Sequence, residues 1–149
     1  MNPDSLHLEV VTPERRVLEA ATPEVQLPGS DGFFGILPGH APLLTELGIG
    51  ELSYHDGGTV RYCAVFGGYA EVLPDRVTAL AEAAERPEEI NVDRARAAKQ
   101  AAEKKLATQG ISLEEADEAR TALLCADLRI QVAARAGRVA ADGAKAAHA

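Results

Sequence analysis

The four histidines, His7, His40, His55 and His148, are the natural starting point for metal or acid–base chemistry, and none stands at ligand spacing from another. Ser5, Ser30, Ser53 and Ser112 lie outside the Gly-x-Ser-x-Gly context that exposes a nucleophile at a strand-to-helix turn. The glycine-rich stretch Gly29–Gly35 lacks the Lys-Ser/Thr ending of a phosphate loop, and it is not a dinucleotide fingerprint. Carboxylates number 23, but their scatter describes a solvated acidic surface rather than a general acid/base pair. Cys63 and Cys125 are far apart and lack metal-ligand spacing, so they read as buried reduced thiols rather than a disulfide. The expectation is a protein with no catalytic residue, no metal site and no cofactor. It does not read as an enzyme.

The elements that carry these residues fall into two parts of different texture. The chain has 149 residues, 46% of them hydrophobic but only 4% aromatic and none Trp, so its core must be built from Val, Leu, Ile and Ala. Residues 1–89 hold 5 basic and 15 acidic side chains, and residues 90–149 hold 10 basic and 8 acidic. The net charge of −8 argues against a sequence-independent grip on nucleic acid or anionic lipid. No apolar run approaches the roughly 20 residues of a membrane span. Met1 to Glu9 has neither signal-peptide nor transit-peptide character, so a soluble protein that stays where it was made is expected.

Residues 5–82 read as short strands punctuated by turns. Leu6, Leu8 and Val10 alternate with His7 and Glu9, the period of a half-buried strand. Further strands are predicted at Arg15–Leu18, Val25–Leu27, Phe33–Leu37, Gly50–Tyr54, Val60–Val65, Ala70–Leu73 and Val77–Leu80. Turns are predicted at Pro13, Gly29–Gly32, Pro38–Gly39, Asp56–Gly58, Gly67–Gly68 and Pro74–Asp75. Many short strands at this spacing suggest a sandwich or barrel.

From Val92 the sequence turns to strong helix formers. One helix is predicted over Val92–Ala107 with Asn91 as N-cap. After Gly110, Ser112 and Glu115 form a capping box for a second helix reaching about Ala134. A link this short makes an antiparallel hairpin. The second helix has two apolar stripes, one of Ala116, Ala119, Leu123, Ala126, Ile130 and Ala133, the other of Leu124, Leu128 and Val132. A helix in a two-helix hairpin needs only one such face. The first helix offers Ala95, Ala98, Ala102 and Leu106, so the second stripe must meet another surface, either the β part or another protein. The expected division is a β domain over 1–88, a helical hairpin over 89–135 and a disordered tail over 136–149.

Two runs resemble a known family. Leu27 to Leu44 reads LPGSDGFFGILPGHAPLL, and Gly67 to Glu85 reads GGYAEVLPDRVTALAEAAE. Both are similar to long motifs of the ATP synthase epsilon subunit, and their order, spacing and Ala-rich sequel agree from residue 5 to about 134. The resemblance implies a β-sandwich of two mostly antiparallel sheets followed by a two-helix hairpin. It also implies a non-catalytic central-stalk subunit of a proton-translocating synthase that couples gamma to the membrane rotor ring of c subunits. Through its hairpin such a subunit transiently meets the catalytic alpha/beta subunits and restrains ATP hydrolysis. It would sit peripherally on the cytoplasmic face of the bacterial inner membrane, associated through the complex alone, with no nucleic acid partner.

Residue by residue, the resemblance places Ser30, Asp31, Gly32 and Phe33 on the rotor ring. Gly35, Pro38, Gly39, His40 and Pro42 form its structural turn motif. Arg120, Leu124, Leu128, Arg129, Val132 and Arg135 are its inhibitory helix residues. Some family members bind ATP on the compact hairpin, for which Glu85, Asn91, Arg94 and Ala95 are the matching positions. Asn91 stands where that signature has Asp, keeping the cap but losing the charge. Leu123 and Asp127 stand where an Arg pair lines that pocket. The alternatives are an ATP-sensing module or a generic β-sandwich adaptor.

Overall fold

The computed structural model describes residues 4–148, with side chains to Ala136. Its strands are β1 (Leu6–Val11), β2 (Arg16–Thr22), β3 (Val25–Gly29), β4 (Gly32–Ile36), β5 (Leu43–Asp56), β6 (Thr59–Leu73), β7 (Arg76–Ala81) and β8 (Ala84–Glu85). A 3-10 turn at Pro87–Glu89 leads to α1 (Val92–Leu106) and α2 (Leu113–His148). The second helix was expected to stop near Ala134. The expected tail falls, beyond Ala136, outside the residues whose side chains are described.

The strands form a sandwich because β5 and β6, 14 and 15 residues long, belong to both of its layers. Residues 43–47 of β5 pair with 68–72 of β6, and the ladder continues through β7 to β1 and β2. Residues 49–56 of β5 pair with 59–66 of β6, flanked by β3 and β4 on one side and β8 on the other. All pairings are antiparallel except β1 with β7. Between the halves, Gly48 and Gly67 drop out of the register.

Two expected strands, Val60–Val65 and Ala70–Leu73, are thus one, and Gly67–Gly68 is a corner rather than a turn. The φ angles of +77° and +116° at these glycines bend the strand without ending it. Leu43–Ile49 and the short β8 were not among the expected strands. The Asp56–Thr59 hairpin has φ of +56° and +88° at Gly57 and Gly58, the double positive φ of a type I′ turn.

The layer that holds β1, β2 and β7 is the near one, and the layer that holds β3, β4 and β8 is the far one. Between them lies the core, with Leu6, Leu8, Val10, Val72 and Val77 from the near layer and Leu27, Leu52 and Val65 from the far one. Each fully buried side chain of this kind stabilises by about 1.5–3 kcal/mol. All of this core comes from residues 6–84. The sandwich does not borrow its interior from the helices.

The hairpin's caps follow the expected chemistry. Asn91 Oδ1 accepts from the Arg94 amide at 3.0 Å, and Ser112 Oγ accepts from the Glu115 amide at 3.1 Å. Ala95 and Ala102 of α1 are buried with Ala116, Ala119 and Ala126 of α2, whereas Ala98 is exposed and lies off the contact. The second stripe of α2 meets the chain's own sandwich. Leu128 and Val132 cluster with Ala64, Phe66 and Ile90.

Candidate functional site

Two surfaces collect residues singled out above, and a third gathers exposed apolar side chains that the sequence did not single out. The first is the tip of the β3–β4 hairpin. Gly29 pairs with Gly32, so Ser30 and Asp31 make a two-residue turn, and all of Ser30, Asp31 and Gly32 are exposed. Strand alternation then separates the adjacent phenylalanines: Phe34 packs on the core while Phe33 is 69% exposed. The turn motif lies elsewhere. The Gly39 amide donates to the Pro74 carbonyl at 2.7 Å, the His40 amide to the Leu37 carbonyl at 3.2 Å, and His40 Nδ1 lies 2.6 Å from the Ala41 carbonyl. Pro38 and Pro42 stand in the same connection, but Gly35 lies inside β4, paired with Gln26.

The second surface is the outer face of the far layer, where α2 docks. Arg129 Nε donates to Glu85 Oε1 at 2.7 Å, and its guanidinium lies 4.5 Å from the Phe66 ring centroid. Arg135 Nε and Nη2 donate to the two Glu51 oxygens at 3.1 Å, and its guanidinium lies 4.5 Å from the Tyr62 ring. Of the other inhibitory-helix candidates, Leu128 and Val132 are buried between these two arginines, and Leu124 is 52% exposed. Arg120 pairs only locally, with Asp117 at 2.8 Å. Lys99 and Asp127 bridge α1 and α2 at 2.9 Å.

The nucleotide candidates are engaged internally. Glu85 holds Arg129, Asn91 caps α1, Ala95 is buried and Arg94 is exposed. Glu51, Tyr62 and Phe66 were not singled out from the sequence. Their signal was there: Tyr62, Ala64 and Phe66 occupy alternate positions of a strand whose other set, Cys63 and Val65, fills the core. An apolar run on both faces marks a strand covered on both faces.

The third surface is the outer face of the near layer. Leu44, Tyr69 and Leu80 are 69%, 56% and 52% exposed, and Tyr69 and Leu80 are cross-strand partners. Leu80 also neighbours Val11, and Leu44 neighbours Glu71. Nothing among the described residues covers this face.

A carboxylate cluster fixes the join between sandwich and hairpin. Arg15 Nη1 and Nη2 donate to the two Glu89 oxygens at 2.9 and 2.7 Å, while Arg86 adds its backbone amide at 3.1 Å and its guanidinium at 2.9 Å. The Arg15 hydrogen bond is the main reason the Glu89 carboxyl falls from 4.5 to about 2, against the opposing effect of burial. A depressed carboxyl stabilises the fold above its unfolded pKa and loses that contribution as pH falls toward the folded one. The stability difference between the parent chain and Glu89→Gln should therefore be constant above about pH 5 and shrink between about 4.5 and 2. Thermal unfolding of both proteins across that range is the measurement, and a difference independent of pH would remove the ion pair's role.

Both thiols are free, Cys63 in the sandwich core and Cys125 half-buried on α2 at the edge of its contact with the sandwich. Burial pushes Cys63 up to about 12 and raises Cys125 as well, while Arg129 opposes the latter shift. Among the described residues no three His, Cys, Asp or Glu side chains converge on a metal-sized site, and no helix is long and apolar enough to cross a membrane.

Comparison with known proteins agrees with this architecture. A chain of the Euglena gracilis mitochondrial ATP synthase superposes with a TM-score of 0.75 at 22% identity, covering 88% of this chain and 82% of that one. The ATP synthase epsilon chain of Koribacter versatilis is 56% identical over 107 residues, 72% of this chain and 75% of the relative. That of Solibacter usitatus is 46% identical over 131 residues, 88% of this chain and 97% of the relative. Residues 5–87 match the family model for the β-sandwich domain of the ATP synthase delta/epsilon chain. With its sandwich, its two helices and relatives of this identity along most of its length, the chain belongs to the ATP synthase epsilon chain family.

Proposed function

We propose that this chain is the non-catalytic central-stalk subunit of a proton-translocating ATP synthase. The sandwich seats on the gamma subunit through the outer face of its near layer, and the β3–β4 tip reaches the membrane rotor ring. The hairpin is a brake: docked it permits rotation, and released it reaches the catalytic alpha/beta subunits and restrains ATP hydrolysis. Membrane association, at the cytoplasmic face of a bacterial inner membrane, runs through the complex.

One observation carries the reading. The sandwich has two outer faces; its own α2 covers one, and the other presents Leu44, Tyr69 and Leu80 to solvent. Exposed apolar side chains grouped on one sheet face mark a protein contact. A module that keeps one face for itself and offers the other is suited to sit on a shaft while its arm moves. The internal engagement of Glu85 and Asn91 favours this reading over an ATP sensor.

Removing residues 90–149 tests the brake, since the sandwich core is complete without them. The reassembled complex containing the truncated chain should hydrolyse ATP several-fold faster than one containing the full chain. Equal rates would leave the coupling role and abolish the inhibitory one.

A further inference from the structure

The apolar contact between α2 and the sandwich is short. Leu128 and Val132 are the fully engaged side chains, against Ala64, Phe66 and Ile90, with Cys125 and Ala133 at the margin. On either side of this small patch stands an arginine with the same two kinds of partner, a carboxylate and an aromatic face. Arg129 has Glu85 and Phe66, and Arg135 has Glu51 and Tyr62. A guanidinium suits this double role because it is planar: it can lie on a ring while its N–H groups donate sideways to a carboxylate. Glu51 also accepts from Gln131 Nε2 at 3.0 Å, so one carboxylate gathers two successive turns of α2. The four charged side chains retain 12–35% of their exposure. They are buried enough for the pairs to count and open enough for solvent ions to reach them.

We infer that Arg129 and Arg135 form a two-point ionic latch, holding α2 on the sandwich through Glu85 and Glu51 and releasing it when other anions take the two guanidinium groups. The inference rests on the proposal that the hairpin leaves the sandwich, and it names what governs that departure. An apolar dock would respond little to salt, whereas this one loosens as ionic strength rises. The aromatic rings contribute the part that salt does not screen. They also set the direction of approach, since only a guanidinium lying on Tyr62 or Phe66 is placed for its carboxylate.

The chain carries its own reporters. Cys125 lies at the edge of the docking patch, and Cys63 is wholly buried in the sandwich core. Alkylation of the full chain by N-ethylmaleimide, read site by site by mass spectrometry, therefore separates undocking from unfolding. In the parent chain Cys125 should react faster as KCl rises from about 20 to about 500 mM, with Cys63 protected throughout. The Glu51→Gln/Glu85→Gln double variant should react at Cys125 about tenfold faster or more at low salt, the factor expected when charge-assisted hydrogen bonds are lost. Its rate should no longer respond to KCl. Tyr62→Leu, which removes a ring without touching charge, should accelerate Cys125 and keep the salt response.

Unchanged Cys125 rates in both variants, with Cys63 protected, overturn the latch. Should the double variant expose Cys63 as well, the parent chain decides alone, and a Cys125 rate indifferent to KCl overturns it. Hydrolysis by the complex is a separate readout. Salt-dependent labelling with no change in ATPase on hairpin removal keeps the latch and dismisses the brake.

Discussion

Gly68→Ala lowers the midpoint of thermal unfolding by roughly 10–15 °C, whereas Gly35→Ala leaves it within a few degrees of the parent. At Gly68 the backbone has φ of +116°, and a Cβ built there would lie 2.2 Å from the Leu80 carbonyl oxygen and 2.8 Å from the Ala81 Cα. Both obstacles are backbone of β7, whose residue Ala81 is the register partner of Gly68. They cannot rotate away as a side chain would. Relief requires β6 and β7 to separate at the corner where β6 passes from one layer to the other. Strain at a positive φ costs about 1–3 kcal/mol and overpacking a similar amount, together about 2–6 kcal/mol. That is a large fraction of the stability of an ordinary domain. Gly35, by contrast, has no positive φ, and nothing lies within 4 Å of an added Cβ. Circular dichroism melts of the two variants are the measurement, and equal melting points would show that the corner yields.

The same glycines show how far the sequence could be read. Gly-Gly between two apolar runs has the composition of a turn, and local chemistry cannot tell a turn from a bend inside one long strand. What decides is tertiary: the backbone of β7 passes so close that only glycine fits. β1 was legible because Leu6, Leu8 and Val10 alternate with the polar His7 and Glu9, one face buried and the other half-buried. Both helix starts were legible because Asn91 and Ser112 act through bonds to residues three positions on. The two-striped α2 announced a second partner surface but not which one. That choice depends on Glu51 and Tyr62, which lie far from α2 in sequence and meet Arg135 only after folding. Of the candidate sites, the turn at the tip followed from its glycines, whereas the choice of Ser30, Asp31, Gly32 and Phe33 as a site came from the family likeness. The arginines came from a family likeness, and their carboxylate and aromatic partners came from the fold alone.

Tyr69→Asp and Leu80→Asp should each weaken binding of the chain to the gamma subunit by about 100-fold or more, with little effect on the chain's own stability. Outward positions of β6 and β7 bring these side chains together as cross-strand partners, with Leu44 on the same face and Glu46 and Glu71 beside them. Aromatic anchors in a buried contact typically cost 2 kcal/mol or more when lost, about 30-fold in affinity, and a carboxylate in their place adds an unpaired buried charge. Exposed as they are in the free chain, the same substitutions should shift folding stability by only about 1 kcal/mol, through the loss of strand propensity and, at position 69, repulsion from Glu46 opposite. Leu113→Asp is the matched control, because Leu113 is 84% exposed at the start of α2, away from this face. Titration calorimetry against purified gamma separates the outcomes. Normal affinity in both face variants would place the shaft contact elsewhere. Loss in Leu113→Asp as well would make the hairpin part of the seat, and an arm that is part of its own seat could not swing free as a brake.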